Sequence, residues 1–270
     1  MSTLQAINVK HPSSGSNNVV LDSSGNATVA GTLTATSLVG NGSGLTGIAG
    51  GFSNLQIFTS SGSWTVPTGI TKAKVTVIGG GGGGGGVNGD GFVGGGGGGG
   101  GGSIRLVTGL TPGNSVTITV GAGGTAANDT AGGAGGTSSF GAFCSATGGA
   151  GGGRRLNGAS NNGSNTVPSC ATGASAGSGS SGDINMSGTI GFSVVNGGSF
   201  TPCPNVVTNI SIGSGCGGDA PFGLGFGGAW QNGSANGLAG TGFGGGGSGG
   251  RGNVSRSGAA GQGGCVIVEW

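Results

Sequence analysis

Few side chains in this chain are equipped to hold a ligand, and nearly all that lie outside its strand-like segments sit in inserts between clusters of glycine. Asp90 and Phe92 interrupt the first glycine tract, and Arg154, Arg155, Asn161 and Asn162 open the longest insert. Trp230 and Gln231 lie in AWQNGSANGL, and Arg251 and Arg256 flank the last insert before the closing glycines. The chemistry of such a set is adhesion. Paired guanidiniums match carboxylate or phosphate groups through parallel N–H bonds, although an Arg-Arg pair is equally the composition of a solubilising surface. An indole either stacks on a sugar ring or wedges the edge of a packed scaffold.

Bond-making chemistry has little to draw on. The six acidic residues are widely separated in turns and glycine spacers, whereas glycoside hydrolysis needs two carboxylates converging across a cleft. His11 is the single histidine, and nothing around it resembles an acid–base or nucleophile partner. Asp90 in NGDG and Asp219 in GGDA do not recur at the nine-residue spacing of a calcium-binding glycine repeat, so both read as solvated turn aspartates. Matches to G-x-G-x-x-G arise trivially in polyglycine and have no strand–loop–helix unit around them. The five cysteines (Cys144, Cys170, Cys203, Cys216, Cys265) contain no C-x-x-C. They indicate neither a disulfide framework nor a zinc site and read as small buried apolar side chains, with Cys170–Cys203 as the one pairing left open. No enzyme activity, cofactor or metal is expected.

The elements that must position the inserts are unusual. Glycine supplies 78 of 270 residues, with only 7 prolines and no strict G-X-Y period, which excludes collagen. Charged residues are 5% of the chain and the net charge is +2, without a basic stripe interleaved with aromatics, so no nucleic-acid partner is expected. No apolar run reaches membrane-spanning length and MSTLQAINVKHP has no export signal, so the expectation is a chain made in a cytoplasm and not inserted in a membrane.

Eight consecutive glycines, 79–86, and nine more, 94–102, leave no side chain to bury. An ordered run of that kind must be held by backbone bonds to neighbouring segments, as in the extended left-handed threefold helix of polyglycine II, which packs closely only without side chains. LQIFT, SWTV, KAKVTVI, SIRLVT, SVTITV and CVIVEW alternate as strands, with Ala73, Val75 and Val77 on one face of the third. A Thr-Pro-Gly-Asn turn at 111–114 joins the fourth to the fifth. These strands form a small β-sheet base into which the glycine region is inserted. Trp64 belongs to its core, and Phe222, Phe226 and Phe243 cap the glycine lattice. Residues 1–50 differ in texture: VVLD and ATVAG flank a Ser-Ser-Gly-Asn hairpin turn and lack the apolar bulk for a core of their own, which predicts a β-rich oligomerising stem.

The block FTSSGSWTVPTGITKAKVTVIGGGGGGGG, followed by SIRLVTGLTPGNSVTITVGAGGT, GGTSSFG and GQGGCVIVEW, resembles the glycine-rich domain found at the ends of many phage tail-fibre proteins. The opening INVKHPSSGSNNVVLDSSGNATVAG and SLVGNGSGLTGI are similar to N-terminal repeats of cyanophage structural and fibre proteins. More distantly, a glycine lattice with variable tips is similar to the adhesins of T-even-like phages. The resemblance implies a mainly β protein in two parts: 1–50 as a stem for virion attachment and oligomerisation, and 51–270 as a β-base carrying a polyglycine-II-like helical bundle with variable loops. It implies a homotrimeric virion fibre whose partners are other virion proteins and a host surface polysaccharide or outer-membrane protein. A head fibre or capsid decoration protein is the alternative reading, and a polysaccharide depolymerase the third.

Overall fold

The computed structural model describes residues 8–9, 13, 15, 19–21, 23–24, 26–30, 32, 34, 52–88, 92–154, 170–171, 173–192, 194–195, 214–229, 231, 234–252 and 254–270. The chain divides into two compact units, Met1–Gly50 and Gly51–Trp270. In the first, β1 (Asn8–Val9), β2 (Val19–Leu21) and β3 (Ala27–Val29) form an antiparallel sheet. Val19 pairs with Val29 and Leu21 with Ala27, so the hairpin is present. Gly25 in its turn, like His11, lies outside the described residues.

The second unit is mainly β. Its strands are β4 (Leu55–Phe58), β5 (Gly62–Thr65), β6 (Lys72–Ile78), β7 (Phe92–Val93), β8 (Gly102–Thr108), β9 (Ser115–Thr119), β10 (Ser138–Phe140), β11 (Cys144–Ala146), β12 (Cys170–Ala171), β13 (Gly179–Ser180), β14 (Ile184–Met186), β15 (Val194–Val195), β16 (Gly225–Phe226), β17 (Thr241–Gly242), β18 (Arg251–Gly252) and β19 (Cys265–Glu269). Two antiparallel five-stranded sheets form the base, ordered β14-β8-β6-β19-β4 and β13-β11-β10-β9-β5. Alternation sends Val75 and Val77 of β6, Val107 of β8 and Val266 and Val268 of β19 inward, where they share one core with Trp64, Ile118, Phe140 and Ala146 of the other sheet. Trp64 packs 5.8 Å from Phe140 and 5.4 Å from Trp270, ring centre to ring centre. The turn at 111–114 forms, with Asn114 N–H donating to the Thr111 carbonyl at 3.1 Å and Gly113 at φ +86°. Its two strands, however, enter different sheets: β8 and β9 are joined across the sandwich, not as a hairpin. Among the described residues the helical turn is a 3-10 turn at Pro221–Gly223.

Between strands, the glycine-rich passes are bonded by backbone alone, and each neighbour is met again every third residue. Gly79, Gly82 and Gly85 donate to Gly101, Gly98 and Gly95; Gly80, Gly83 and Gly86 donate to Gly136, Gly133 and Thr130. Gly81, Gly84 and Val87 donate to Gln262, Ala259 and Arg256. All three of these neighbours run antiparallel. Three others run parallel and donate back: Gly149 and Gly152 to Gly80 and Gly83, Gly247 and Gly250 to Gly82 and Gly85, and Gly124 to Gly81. Pass 79–87 is thereby surrounded on all sides, which is why it is glycine: a Cβ on Gly82 would overlap the Ala150 carbonyl, and one on Gly98, in the adjacent pass, the Ser175 carbonyl. In the outer pass 130–137 a side chain appears at every third position, Ala131, Ala134 and Thr137, and these are exposed.

Candidate functional site

The passes alternate in direction, so their ends collect at two levels. At the level next to the sandwich, Gly79 is bonded to Gly101, Gly101 to Thr147 and Gly100 to Gly244. Here Phe222, Leu224 and Phe243 pack on Ile78, Ala220 and Cys265, so Phe222 and Phe243 cap the proximal end as expected, while Phe226 is exposed. The opposite level is marked by Gly94 donating to Gly250, Gly95 to Gly153, Gly96 to Phe192, Gly86 to Thr130 and Val87 to Arg256. These residues border the inserts that carry the predicted ligand-binding side chains.

Two polar clusters stand at this distal level. In the first, Asp129 makes the reversal between passes 121–128 and 130–137, at φ 58°. Its Oδ2 accepts from Asn88 Nδ2 at 3.2 Å, and Arg154 Nη2 lies 3.0 Å from its Oδ1. That approach is an ion pair outside hydrogen-bonding geometry, so the buried Oδ1 has no hydrogen-bond donor. Ser255 Oγ donates to Asn128 Oδ1 at 2.8 Å beside it. In the second cluster, β18 pairs with β7, setting Arg251 opposite Val93 and Gly252 opposite Phe92. Arg251 also pairs with Ala235, Arg256 Nε donates to Ser234 Oγ at 3.3 Å, and Ser257 N–H donates to Asn236 Oδ1 at 3.2 Å. The Val87–Arg256 bridge links the clusters, because Asn88 follows Val87.

Of the residues singled out from sequence, Arg154, Arg251 and Arg256 thus stand at one end of the domain. Gln231 is held to Ser214 by a pair of hydrogen bonds, Gln231 N–H to Ser214 Oγ at 2.9 Å and Ser214 N–H to the Gln231 carbonyl at 3.1 Å. Phe92 is placed through its backbone in β7. Asp90, Arg155, Asn161, Asn162 and Trp230 lie outside the described residues. Asp129, Asn88, Asn128 and Ser255 were not anticipated. Their signal was the polar insert TAANDT, whose partners stand 41 residues away at Asn88 and 127 away at Ser255.

Asp219 is not a free turn aspartate: exposed as it is, its Oδ1 accepts from Gly227 N–H at 2.7 Å. Cys144 and Cys265 are buried, and burial pushes their thiols up to about 11 and about 12. They are therefore protonated and inert at neutral pH. Cys216 is half-buried, and Cys203 lies outside the described residues. Among the described residues no group of three or more His, Cys, Asp or Glu could hold a metal, and no helix is long and apolar enough to cross a membrane. The distal arrangement offers guanidinium donors, a carboxylate acceptor and amides on a backbone-locked footing, which suits binding. A family model described as a glycine-rich domain matches residues 57–270. No curated relative matches the chain.

Proposed function

The chain belongs to the glycine-rich domain family, and from that premise we propose that it is a virion fibre protein whose distal inserts bind the surface of a host cell. The passes are taken as left-handed threefold helices of the polyglycine II type. What supports this is the return of each hydrogen-bond partner every third residue, together with the absence of room for a Cβ on the central passes. The observation that carries the functional reading is the alternation of the passes. It brings Arg154, Arg251 and Arg256 to the end of the domain away from the sandwich.

Loops supported by a rigid lattice vary without disturbing it, the usual arrangement of a recognition surface, and an ordered footing reduces the entropy lost on docking. Arg154, Arg155, Arg251 and Arg256 are half of the eight basic residues, so the surface sought is an anionic one, a carboxylated or phosphorylated polysaccharide or an acidic outer-membrane protein loop. In this reading residues 1–50 anchor the fibre to other virion proteins and make it a homotrimer. The exposure of Val20 and Leu21 in the stem sheet favours burial between copies. Each weak loop contact is then multiplied by copy number.

Replacing Arg154, Arg155 and Trp230 together by alanine should lower adsorption to host cells at least tenfold while the variant still melts cooperatively, since none of the lattice hydrogen bonds is made by these side chains. Undiminished adsorption by the folded variant would remove these residues from the site. Failure of the isolated wild-type protein to compete with virions for cells would favour a capsid decoration protein instead.

A further inference from the structure

Several exposed large apolar side chains of the second unit, among them Leu55, Ile57, Leu106 and Ile184, lie on the outer face of one sheet. The register of β14-β8-β6-β19-β4 aligns Ile184, Ile104, Thr76, Ile267 and Ile57 in a row across all five strands. The neighbouring row reads Leu106, Lys74, Glu269, Leu55. Leu55 is 59% exposed, Ile184 52%, Leu106 49% and Ile57 48%, whereas Thr76 at the centre of the first row is buried and Ile104 and Ile267 are half-buried. The opposite face of the sheet is the sandwich core.

We propose that this face pairs with the same face of a second copy of the chain, about a twofold axis. Each row is chemically symmetric about its own centre, the first about Thr76 on β6 and the second about the gap between Lys74 on β6 and Glu269 on β19. One is isoleucine on either side of a threonine. The other is leucine outside an adjacent Lys74–Glu269 ion pair of 2.7 Å. A twofold through the middle of the second row sets Lys74 of each copy against the partner's Glu269, and leucine against leucine. It opposes Thr76 to Ile267 and Ile104 to Ile57 and leaves Ile184 at the margin. The surface is therefore complementary to itself in charge as well as in hydropathy, which is the requirement for an isologous contact. Five strands about 4.8 Å apart, each contributing some five residues of about 3.4 Å, give a footprint of roughly 24 by 17 Å. That is roughly 400 Å² on each copy, comparable to the largest surface patch of a typical monomer, and about 800 Å² for the pair, the size of a weak, transient contact. The pairing is accordingly concentration-dependent. Phe222, Leu224, Phe243 and Ile267 itself pack against Ile78, Ala220 and Cys265, which bounds the face on its lattice side.

The test is a charge-swap rescue on the full chain, read by sedimentation velocity across a concentration series. Wild type should form a species of at least twice the mass of that formed by Lys74→Glu or by Glu269→Lys, each of which sets like charges against one another, whether the unit that pairs is one chain or the proposed trimer. An equimolar mixture of the two variants should recover the wild-type mass, because a doubly acidic face then meets a doubly basic one. Variants that sediment as wild type, or a mixture that stays at the lower mass while each variant melts cooperatively, would overturn the proposal. A variant that misfolds gives no recovery on mixing, and Leu55→Ser with Ile57→Ser on edge strand β4 then supplies the second arm: retention of the doubled mass by this folded variant also overturns it.

Discussion

At the scale of single residues, two positions make sharp predictions. Asp129 holds a left-handed backbone at φ 58°, a conformation that costs an ordinary L-residue roughly 1–2 kcal/mol and is tolerated by Asp, Asn and Gly. Asp129→Val should therefore lower stability by about that amount or more in a melting experiment, and Asp129→Gly should spare the turn while losing the Arg154 ion pair. Equal destabilisation by the two would locate the cost in the ion pair instead. Cys144 and Cys265 make the second case. Their folded-state values, about 11 and about 12 against 9.0 for a free thiol, are raised by burial. The unfolded chain loses those protons first as pH rises. The stability they contribute is complete below pH 9 and is lost progressively as pH climbs toward 11 and 12, with a slope on the order of 1.4 kcal/mol per pH unit for each thiol. A double Cys144→Ala, Cys265→Ala variant should show a flatter decline of stability between pH 9 and 11 than wild type. Parallel declines would mean that other groups govern alkaline unfolding.

At the scale of elements, the lattice predicts a strong asymmetry between inner and outer positions. Gly98→Val places a side chain on the Ser175 carbonyl and should abolish cooperative melting. Ala134→Val enlarges a side chain that is already exposed and should fall within about 0.5 kcal/mol of wild type. The strands of the sandwich were legible in sequence because alternation marks them: Val75 and Val77, Val116 and Ile118, Val266 and Val268 all face inward. The partition into two sheets was not legible. The Pro112-Gly113 turn has the same local chemistry whether it closes a hairpin or carries the chain across a core, and the choice is made by Ile118 pairing with Phe140 and Gly62 instead of with β8. The lattice neighbours were hidden for a deeper reason: a glycine presents the same surface to every neighbour, so nothing in 79–86 names Gly101, Gly136 or Gln262 as its partners. The distal cluster was half legible. Arginines stand out in a chain of low charge, whereas Asp129 and Asn88 acquire their roles only when passes far apart in sequence end at one level.

At the scale of the molecule, the base and the lattice close on one another. β19 lies between β6 and β4, and the pass leading to it takes the N–H groups of Gly81, Gly84 and Val87. Shortening the chain at residue 255 should therefore remove an interior strand of a sheet and one wall of the central pass together. The expected result is loss of cooperative melting and general protease sensitivity. A shortened chain that kept a protected core would show the sandwich to be independent of its last strand. The three-residue return of every lattice bond has a further consequence, for how such a gene can change in length. Gaining or losing one codon within a pass shifts all that follows by one step of the three-residue return and hands each bond to the wrong neighbour. A whole triplet of codons, matched in the two passes that meet at a tip, restores every partner and only raises the tip. Length polymorphism among natural variants should then be free in the inserts but counted in threes along the passes, so the lattice sets a reading frame of its own above that of the code.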